Sequence, residues 1–309
     1  MPRHFLDLLG ISTAEARRLI DQSIEIKRDE QAGLRPPILS GRNLGLLFEK
    51  PSLRTRVSFE AAIARLGGNA IFLNGKDVGL GVRESVVDFA RVLSQYVDVL
   101  AARTFSHATV EELANSATIP VINALSDASH PCQAMADFMT IEELRGPLFG
   151  KKLVFVGDGN NVARSLAVGS ALLGVHFVLA APPGYEFPPN FQARFAARFP
   201  AVSLVIEHDP QKAVNGADVV YTDVWASMGQ EHEAEARRSV FAPYQVNHDL
   251  MAQAKTDAIF LHCLPAHRGE EVTSDVLDGP RSQVIPQAAN RLYFQMALLV
   301  WLLGDHQSA

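Results

Sequence analysis

The sequence predicts an α/β protein built from two parallel-sheet domains. Short apolar runs alternate along the chain with longer segments whose apolar residues recur at helical spacing. The short runs are apolar throughout, which is typical of parallel strands covered by helices on both faces. The length of 309 residues suits two domains better than one. We therefore expect two doubly wound parallel-sheet domains joined by helices.

Nine apolar runs are predicted strands. They lie at 44–48, 70–73, 97–102, 119–123, 152–157, 176–181, 203–207, 218–223 and 258–263.

The domain boundary is predicted in RGPLFGKK at 145–152, whose Gly and Pro residues interrupt a helical pattern. We therefore assign 1–147 to a first domain and 148–286 to a second. The final helical pattern is long and apolar, and we expect 287–309 to pack back on the first domain.

Composition excludes several classes of function. The formal charge of −6 comes from acidic and basic residues mixed along the chain, without the Lys/Arg run that binds nucleic acid. The longest strongly apolar run, at 296–303, is far shorter than the roughly 20 residues that span a bilayer. The N-terminus MPRHFLDLLGIS has no secretory-signal pattern, so we expect a cytoplasmic protein. Two cysteines make a poor disulfide framework, and we expect both as reduced thiols.

The stretch EKPSLRTRVSFE follows the first predicted strand and begins a helix. Ser52 is a good N-cap, and Phe59, Ile63 and Leu66 fall on one helix face. A helix N-terminus favours an anion through its free N–H groups and its dipole.

Two arginines and a second hydroxyl strengthen that prediction. Arg54 and Arg56 carry fork-shaped cationic donors that match phosphate oxygens, and Thr55 can also donate. The alternative is an ordinary capped helix with solvated or salt-bridged arginines.

The stretch SDASHPCQAMADF follows another predicted strand. Pro131 suits the first helical position, and Ala134, Phe138 and Ile141 predict one buried helix face. His130 and Gln133 thus lie where open α/β sheets bind their ligands. A structural histidine is the alternative.

The second half carries three further candidates at strand ends. FVGDGNN has a glycine turn but lacks the third glycine and the later acidic residue of a dinucleotide fingerprint, so Asn160 and Asn161 suit a small zwitterion instead. DVWASMG places Asp223 at a strand end, and LHCLPAHRGEE does the same for Cys263. Turn residues and a buried structural cysteine are the alternatives.

Together these motifs resemble the aspartate/ornithine carbamoyltransferase family over essentially the whole chain, and within it the ornithine enzymes. FEKPSLRTRVSFE resembles the family's S-T-R-T-R carbamoyl phosphate loop, SHPCQ its H-P-C-Q element and DVWASMG its ornithine loop. HCLPA resembles the signature that the aspartate enzymes replace with H-P-L-P. The resemblance implies one domain for carbamoyl phosphate, one for ornithine, an active site in the cleft between them, and a homotrimer or a multiple of trimers. It implies no metal, no cofactor and no nucleic-acid or membrane partner.

The resemblance also implies roles for individual residues. The catalytic residues would be Arg103, His130, Asp223 and Cys263. Carbamoyl phosphate would be bound by Ser52, Leu53, Arg54, Thr55, Arg103, His130, Gln133, Cys263, Leu264 and Arg291. Ornithine would be bound by Asn161, Asp223, Ser227 and Met228. The product would be citrulline, in arginine biosynthesis or catabolism, and whether Cys263 accepts a proton or only positions the amine stays open.

Several positions depart from the family's pattern. Leu53 stands at the usual threonine, which removes a hydroxyl but keeps the backbone donors. Gly79 stands where a Gln or His reaching a neighbouring subunit is expected, and Arg83 is a candidate substitute. Arg164, Ala289 and Tyr293 are further departures.

Three other interpretations remain. An N-acylornithine carbamoyltransferase shares P-S-L-R-T-R, a Rossmann oxidoreductase would use VGDGNN, and a degenerate family member would act as a binding or scaffold protein. DVWASMG argues against the first, the missing glycine against the second, and the intact polar motifs against the third.

Overall fold

The computed structural model describes residues 2–226 and 233–304, which divide into two compact units. The first unit comprises Met1–Met139 with Asn290–Ala309, and the second comprises Thr140–Ala289.

The first unit contains a four-stranded parallel sheet in the order β2-β1-β3-β4. Its strands are β1 (Asn43–Phe48), β2 (Asn69–Asn74), β3 (Val99–Arg103) and β4 (Val121–Leu125). Its helices are α1 (Thr13–Gln31), α2 (Leu53–Arg65), α3 (Gly75–Val78), α4 (Val86–Leu93), α5 (His107–Ser116) and most of α6 (Pro131–Arg145).

The second unit contains a five-stranded parallel sheet in the order β7-β6-β5-β8-β9. Its strands are β5 (Lys152–Val156), β6 (His176–Ala180), β7 (Val205–Glu207), β8 (Val219–Thr222) and β9 (Ile259–His262). Its helices are α7 (Asn161–Leu173), α8 (Pro189–Arg198), α9 (Pro210–Val214), α10 (Ala234–Phe241), α11 (His248–Ala252), α12 (Ser274–Leu277) and the start of α13 (Val284–Leu303).

Each sheet has a point where the direction of strand addition reverses. The chain passes from β1 outward to β2 and then returns to add β3 on the other side of β1. In the second sheet it passes from β5 out to β7 and returns to add β8 beside β5. Helices on opposite faces leave a crevice at the carboxyl ends of such strand pairs, where open α/β sheets bind their ligands.

The predicted fold class is confirmed. All nine predicted strands are present, their ends differ from the predicted ones by at most two residues, and both sheets are parallel. Helix α2 begins after its N-cap Ser52, and Phe59 and Ile63 on its predicted inner face are buried.

Helix α6 differs from its prediction in how much of it is buried. Ala134, Phe138 and Ile141 are buried as expected, but so are the residues between them. A helix that is buried on all sides is typical of the interior of a large protein. Its polar residues therefore lie away from water, where they need hydrogen-bond partners.

The last helix belongs to the first unit from Asn290 onward. The ring of Phe5 lies 6.0 Å from that of Phe294 and 6.4 Å from that of Trp301, centroid to centroid. Within the described ranges, no helix combines the length and the apolar character needed to cross a bilayer.

Candidate active site

The first turn of α2 presents a candidate anion site at the carboxyl end of β1. Ser52 caps the helix, its hydroxyl accepting from the N–H of Thr55 at 3.4 Å. Arg54 is half-buried, and in residues 2–226 and 233–304 it has no hydrogen bond or ion pair. A guanidinium beside a helix N-terminus and without a protein partner favours a bound anion.

The two arginines of the motif have different surroundings. The Nε of Arg56 donates to Glu60 at 2.8 Å, and its guanidinium lies 3.7 Å above the ring of Phe72. These contacts fit the alternative of a salt-bridged arginine for Arg56, and its contribution to phosphate binding stays untested. Arg54 is the arginine of this motif without such a partner among the described residues.

Two buried arginines approach the same region of the first unit. Arg103 ends β3 and is 8% exposed, while Arg291 on α13 is 4% exposed. The Nη2 of Arg291 donates to the Oγ1 of Thr55 at 2.7 Å. The structure thus brings Thr55 and Arg291 together, and both arginines act electrostatically on His130.

His130 directly precedes α6 and is buried. Burial, together with the positive charges of Arg291 and Arg103, holds the pKa of His130 well below its ordinary value of 6.5. The imidazole is therefore neutral near pH 7, where it can donate one hydrogen bond without carrying a charge.

Gln133 lies one turn into α6 and is 1% exposed. Its Nε2 donates to the Oδ1 of Asp137 at 2.8 Å, which fixes the orientation of the amide. Its Oε1 is buried and has no hydrogen-bond partner among the described residues. This oxygen can accept an N–H from a ligand, as the predicted contact with a carbamoyl amino group requires.

A buried polar network that sequence reasoning missed supports the segment before His130. The Oγ of Ser126 contacts the Nδ1 of His107 at 2.8 Å and accepts from the Nδ2 of Asn123 at 3.1 Å. Asn123 also donates to the carbonyl of Leu6 at 2.8 Å. The network joins the carboxyl end of β4 to α5 and to the N-terminal segment.

Cys132 belongs to the protein interior. Its Sγ donates to the carbonyl of Asn123 at 3.6 Å, and burial raises the pKa of Cys132 to about 12. Both cysteines lie in the described part of the chain, and neither is in a disulfide, as predicted. Cys132 is thus an unreactive thiol.

The second unit gathers polar groups at the carboxyl ends of β5, β8 and β9. The Nδ2 of Asn160 donates to the Oδ2 of Asp223 at 3.1 Å. The Sγ of Cys263 donates to the Oδ1 of the same carboxylate at 3.0 Å. Asn161, the predicted ornithine ligand, is the first residue of α7, and its neighbour Asn160 is the one that contacts Asp223.

A buried ion pair underlies this group. Arg237 on α10 donates through Nη1 to Asp158 and to the carbonyl of Trp225, both at 2.9 Å. Burial raises the pKa of Asp158 to about 6, and the charge of Asp223 adds to the rise, although the contact with Arg237 opposes it. Arg237 thereby links the turn after β5 to the segment after β8.

Leu264 follows Cys263 with a left-handed φ of 59°. Its N–H donates to the Nδ1 of His262 at 2.8 Å. Few non-glycine residues adopt this conformation, and those that do cluster at functional sites.

Two predicted ornithine ligands and two departures from the family's pattern remain to be placed. Ser227 and Met228 lie outside the described residues. Gly79 caps α3 with a φ of 65°, where a side chain would be strained and its Cβ would lie 3.0 Å from that of Arg83. Arg164 donates to the carbonyl of Gly159 at 2.9 Å.

Two sets of side chains among the described residues of the second unit have the spacing of a metal site: Asp223 with His262 and Cys263, and His267 with Glu270 and Glu271. In each set, every side chain places one ligand atom within 4.8 Å of the others. In the first set, the thiol and the imidazole Nδ1 already take part in the hydrogen bonds described above. The absence of a metal requirement stays a prediction.

Family models match both halves of the chain. Residues 3–143 match the carbamoyl-P binding domain of aspartate/ornithine carbamoyltransferase. Residues 149–302 match the Asp/Orn binding domain of the same family. The first model thus covers the anion site on α2, and the second covers Asp223 and Cys263.

Named relatives are similar along their whole length. The ornithine carbamoyltransferase of Anoxybacillus flavithermus is 52% identical over 303 residues, which are 97% of this chain and 96% of the relative. The anabolic ornithine carbamoyltransferase of Pyrococcus furiosus is 52% identical over 305 residues, 98% of this chain and 96% of that one.

Solved structures agree with the sequence comparison. The ornithine carbamoyltransferase from Pyrococcus furiosus superposes with a TM-score of 0.95 at 50% identity and covers 98% of both chains. The anabolic enzyme from Campylobacter jejuni superposes with a TM-score of 0.91 at 36% identity, over 97% of this chain and 98% of that one.

Proposed function

This chain belongs to the aspartate/ornithine carbamoyltransferase family, and on that premise we propose that it transfers the carbamoyl group of carbamoyl phosphate to the δ-amine of L-ornithine, forming L-citrulline and phosphate. The resemblance that the sequence motifs indicate is thereby confirmed at the level of the family.

One observation favours ornithine over aspartate as the acceptor. The Asp223 carboxylate holds the Cys263 thiol at 3.0 Å in the unit that matches the amino-acid-binding model. A carboxylate attracts the cationic side chain of ornithine and repels the anionic side chain of aspartate. The relatives at about half identity, which are named for ornithine, support the same choice.

Carbamoyl phosphate fits the first unit. We propose that its phosphoryl oxygens bind the start of α2 through Ser52, the backbone of Leu53, Arg54 and Thr55, with Arg103 and Arg291 completing the positive site. The Oε1 of Gln133 then accepts from the carbamoyl N–H₂, because it is a buried acceptor that has no partner among the described residues.

The carbonyl oxygen of carbamoyl phosphate gains negative charge during attack. His130 can donate its one N–H to this oxygen as a neutral ring, since burial and the two arginines disfavour the charged imidazolium. Arg103 and Thr55 are the other proposed donors. Preorganised donors of this kind are worth about 3 kcal/mol each in comparable sites.

The ornithine amine must lose a proton before it attacks, because its ordinary pKa is about 10.4. We propose that Asp223 and Cys263 hold and aim the amine, and that Leu264 lies beside it. Asn161, Ser227 and Met228 bind the amino-acid head group. The nitrogen then forms a bond to the carbamoyl carbon and gives up its second proton, the bond from that carbon to the phosphate oxygen breaks, and phosphate leaves with the electron pair and takes up that proton.

We further propose that the functional domains are 1–147 with 287–309 for carbamoyl phosphate, and 148–286 for ornithine. The cytoplasmic location stays a prediction.

A homotrimer is the proposed assembly. Four apolar side chains on α2 and β2 are between 37% and 76% exposed, which is typical of a surface covered by another copy. They are Leu53, Val57, Ile71 and Phe72. Light scattering coupled to size-exclusion chromatography should give three times the 33.7 kDa chain mass, or a multiple of that.

The function is tested by an acceptor panel. The protein is supplied with carbamoyl phosphate and, separately, L-ornithine, N-acetylornithine, putrescine or L-aspartate. We expect turnover with L-ornithine alone, and a loss of at least about 10²-fold in Asp223→Asn, because the substituted amide no longer attracts or orients the amine. Turnover with another acceptor would refute the assignment, and no turnover with any would favour a binding protein.

A further inference from the structure

We propose that Glu271 is a positioning residue for ornithine, which acts through His262 on the turn formed by Cys263 and Leu264. This inference rests on the proposed function and deepens it, because that turn carries the thiol that meets Asp223. Among the described residues, the Glu271 side chain has no hydrogen bond or ion pair with a residue assigned above to either substrate.

The hydrogen bonds of His262 determine its tautomer. His262 ends β9 and its side chain is fully buried. Its Nδ1 lies 2.8 Å from the N–H of Leu264, which can only donate. Nδ1 is therefore the unprotonated acceptor, and the proton of the neutral ring lies on Nε2.

That proton faces Glu271. The Nε2 of His262 lies 3.2 Å from the Oε1 of Glu271, whose side chain is also fully buried. A carboxylate beside one ring nitrogen holds the proton there and leaves the other nitrogen as an acceptor. Glu271 thus keeps His262 in the one neutral form that can accept from Leu264.

Glu271 itself is fixed in the fold of the second unit. Its carbonyl accepts from the N–H of Val246 at 2.9 Å, and the same Oε1 accepts from the N–H of His267. Among the described residues, no lysine or arginine pairs with this carboxylate. The described partners of the Glu271 carboxylate are the His262 imidazole and the N–H of His267, so the contact with His262 is the one side-chain contact that this carboxylate makes among the described residues.

Leu264 is the part of the turn that needs support. Its left-handed φ of 59° is unfavourable for a residue with a branched side chain, and such a conformation persists only where surrounding contacts hold it. The hydrogen bond to His262 is such a contact. Without it the turn relaxes, and the Cys263 thiol next to it leaves Asp223.

The first test compares two substitutions of Glu271. Glu271→Gln keeps a side-chain oxygen that accepts from both N–H groups, whereas Glu271→Met has similar length and no acceptor. We expect kcat/KM for ornithine to fall by about 10- to 100-fold in Glu271→Met and by less than about threefold in Glu271→Gln. The affinity for inorganic phosphate should stay within about twofold in both, because the anion site lies in the first unit.

The second test separates the two ring nitrogens of His262. In His262→Asn the amide oxygen takes the place of Nδ1 and still accepts from Leu264, whereas in His262→Gln the amide takes the place of Nε2 and faces Glu271. We expect His262→Asn to retain more ornithine turnover than His262→Gln. The reverse order would overturn the proposal, because it would mean that the Leu264 contact is dispensable.

Two readouts do not depend on turnover. Imidazole ¹⁵N NMR of the wild-type protein, with His262 assigned by its loss in His262→Asn, should show the Nε2–H tautomer. Alkylation by iodoacetamide should modify Cys263 several-fold faster in Glu271→Met than in the wild type, while Cys132 stays unmodified. Circular dichroism verifies that each variant is folded.

The outcomes distinguish this inference from the proposed function. An Nδ1–H tautomer, or equal Cys263 alkylation in wild type and a folded Glu271→Met, would overturn the role of Glu271 even in an active enzyme. A wild-type protein without citrulline synthesis, but with the Nε2–H tautomer and faster alkylation in Glu271→Met, would refute the substrate and leave the turn's support in place. If Glu271→Met does not fold, the role of Glu271 is tested by the tautomer of His262 in the wild type and by the comparison of His262→Asn with His262→Gln.

Discussion

The Nη2 of Arg291 donates to the Oγ1 of Thr55 at 2.7 Å, although 236 positions of the chain separate the two residues. The contact joins the last helix, α13, to the first turn of α2, where Ser52 and Arg54 form the proposed anion site. The C-terminal helix is therefore part of the proposed carbamoyl phosphate site as well as of the core around Phe5.

Removing the acceptor of this bond should lower the stability of the folded protein. Thr55→Val keeps the shape of the side chain but leaves the buried guanidinium with one fewer partner, which should lower the free energy of unfolding by about 1–3 kcal/mol. Urea denaturation measures the change, and Thr55→Ser, which retains the hydroxyl, is the control. Equal losses in the valine and serine variants would show that the hydroxyl is not the cause.

Arg54 and Arg56 should respond differently to the same substitution. Arg54→Lys removes the fork-shaped donor from the anion site and should lower kcat/KM for carbamoyl phosphate by about 10²-fold. Arg56→Lys changes a guanidinium paired with Glu60 and stacked on Phe72, and should lower it by less than about threefold. Steady-state kinetics of the two variants decide, and a larger effect at Arg56 would contradict the geometry.

The depressed pKa of His130 predicts a stability loss in acid. The folded protein keeps this imidazole neutral below the ordinary pKa of 6.5, whereas the unfolded chain binds the proton there. The free energy of unfolding should therefore fall as the pH decreases below about 6.5, until the lower folded-state pKa is passed. Denaturation at several pH values should show a smaller fall in His130→Gln than in the exposed control His176→Gln. Identical pH profiles in the two variants would contradict a buried neutral imidazole.

The raised pKa of Asp158 predicts the opposite pH dependence, a loss of stability as the pH rises. Burial raises the pKa of Asp158 in the folded protein to about 6, above its ordinary value of 3.8, so the folded state binds the proton more tightly than the unfolded state. The stability gained from this proton is complete below about 3.8 and is lost as the pH rises through about 6. In Asp158→Asn this loss should be absent, so the difference in unfolding free energy between variant and wild type should change with pH across that range. A constant difference would show that the carboxyl is not perturbed.

The sheets were predictable from the sequence because their signal is local. A fully buried strand reads as a continuous apolar run, and all nine runs became strands. Helices α3, α9, α11 and α12 have only four or five residues, too few for an apolar period to appear. The complete burial of α6 depends on neighbours from other elements, which a helical period does not reveal.

The site was predictable where motifs carry it and unpredictable where partners are distant. Glu60 lies four residues after Arg56 on the same helix, a spacing that predicts their ion pair. Phe72 lies on β2, and no local pattern predicts that its ring contacts Arg56. Arg237 and Asp158 are separated by 79 positions, so no local pattern joins them. His262 and Glu271 lie within LHCLPAHRGEE, yet only the folded turn shows that they face each other.

The central claim is that a carbamoyl group passes directly to the δ-nitrogen of ornithine, and isotope labelling tests it most directly. The protein is incubated with [¹³C]carbamoyl phosphate and L-ornithine labelled with ¹⁵N at the δ position, and the product is observed by NMR. We predict a ureido ¹³C signal split by one-bond coupling to ¹⁵N, formed in step with phosphate. Release of phosphate with the ¹³C appearing as bicarbonate or cyanate, and no ¹³C–¹⁵N bond, would contradict the account.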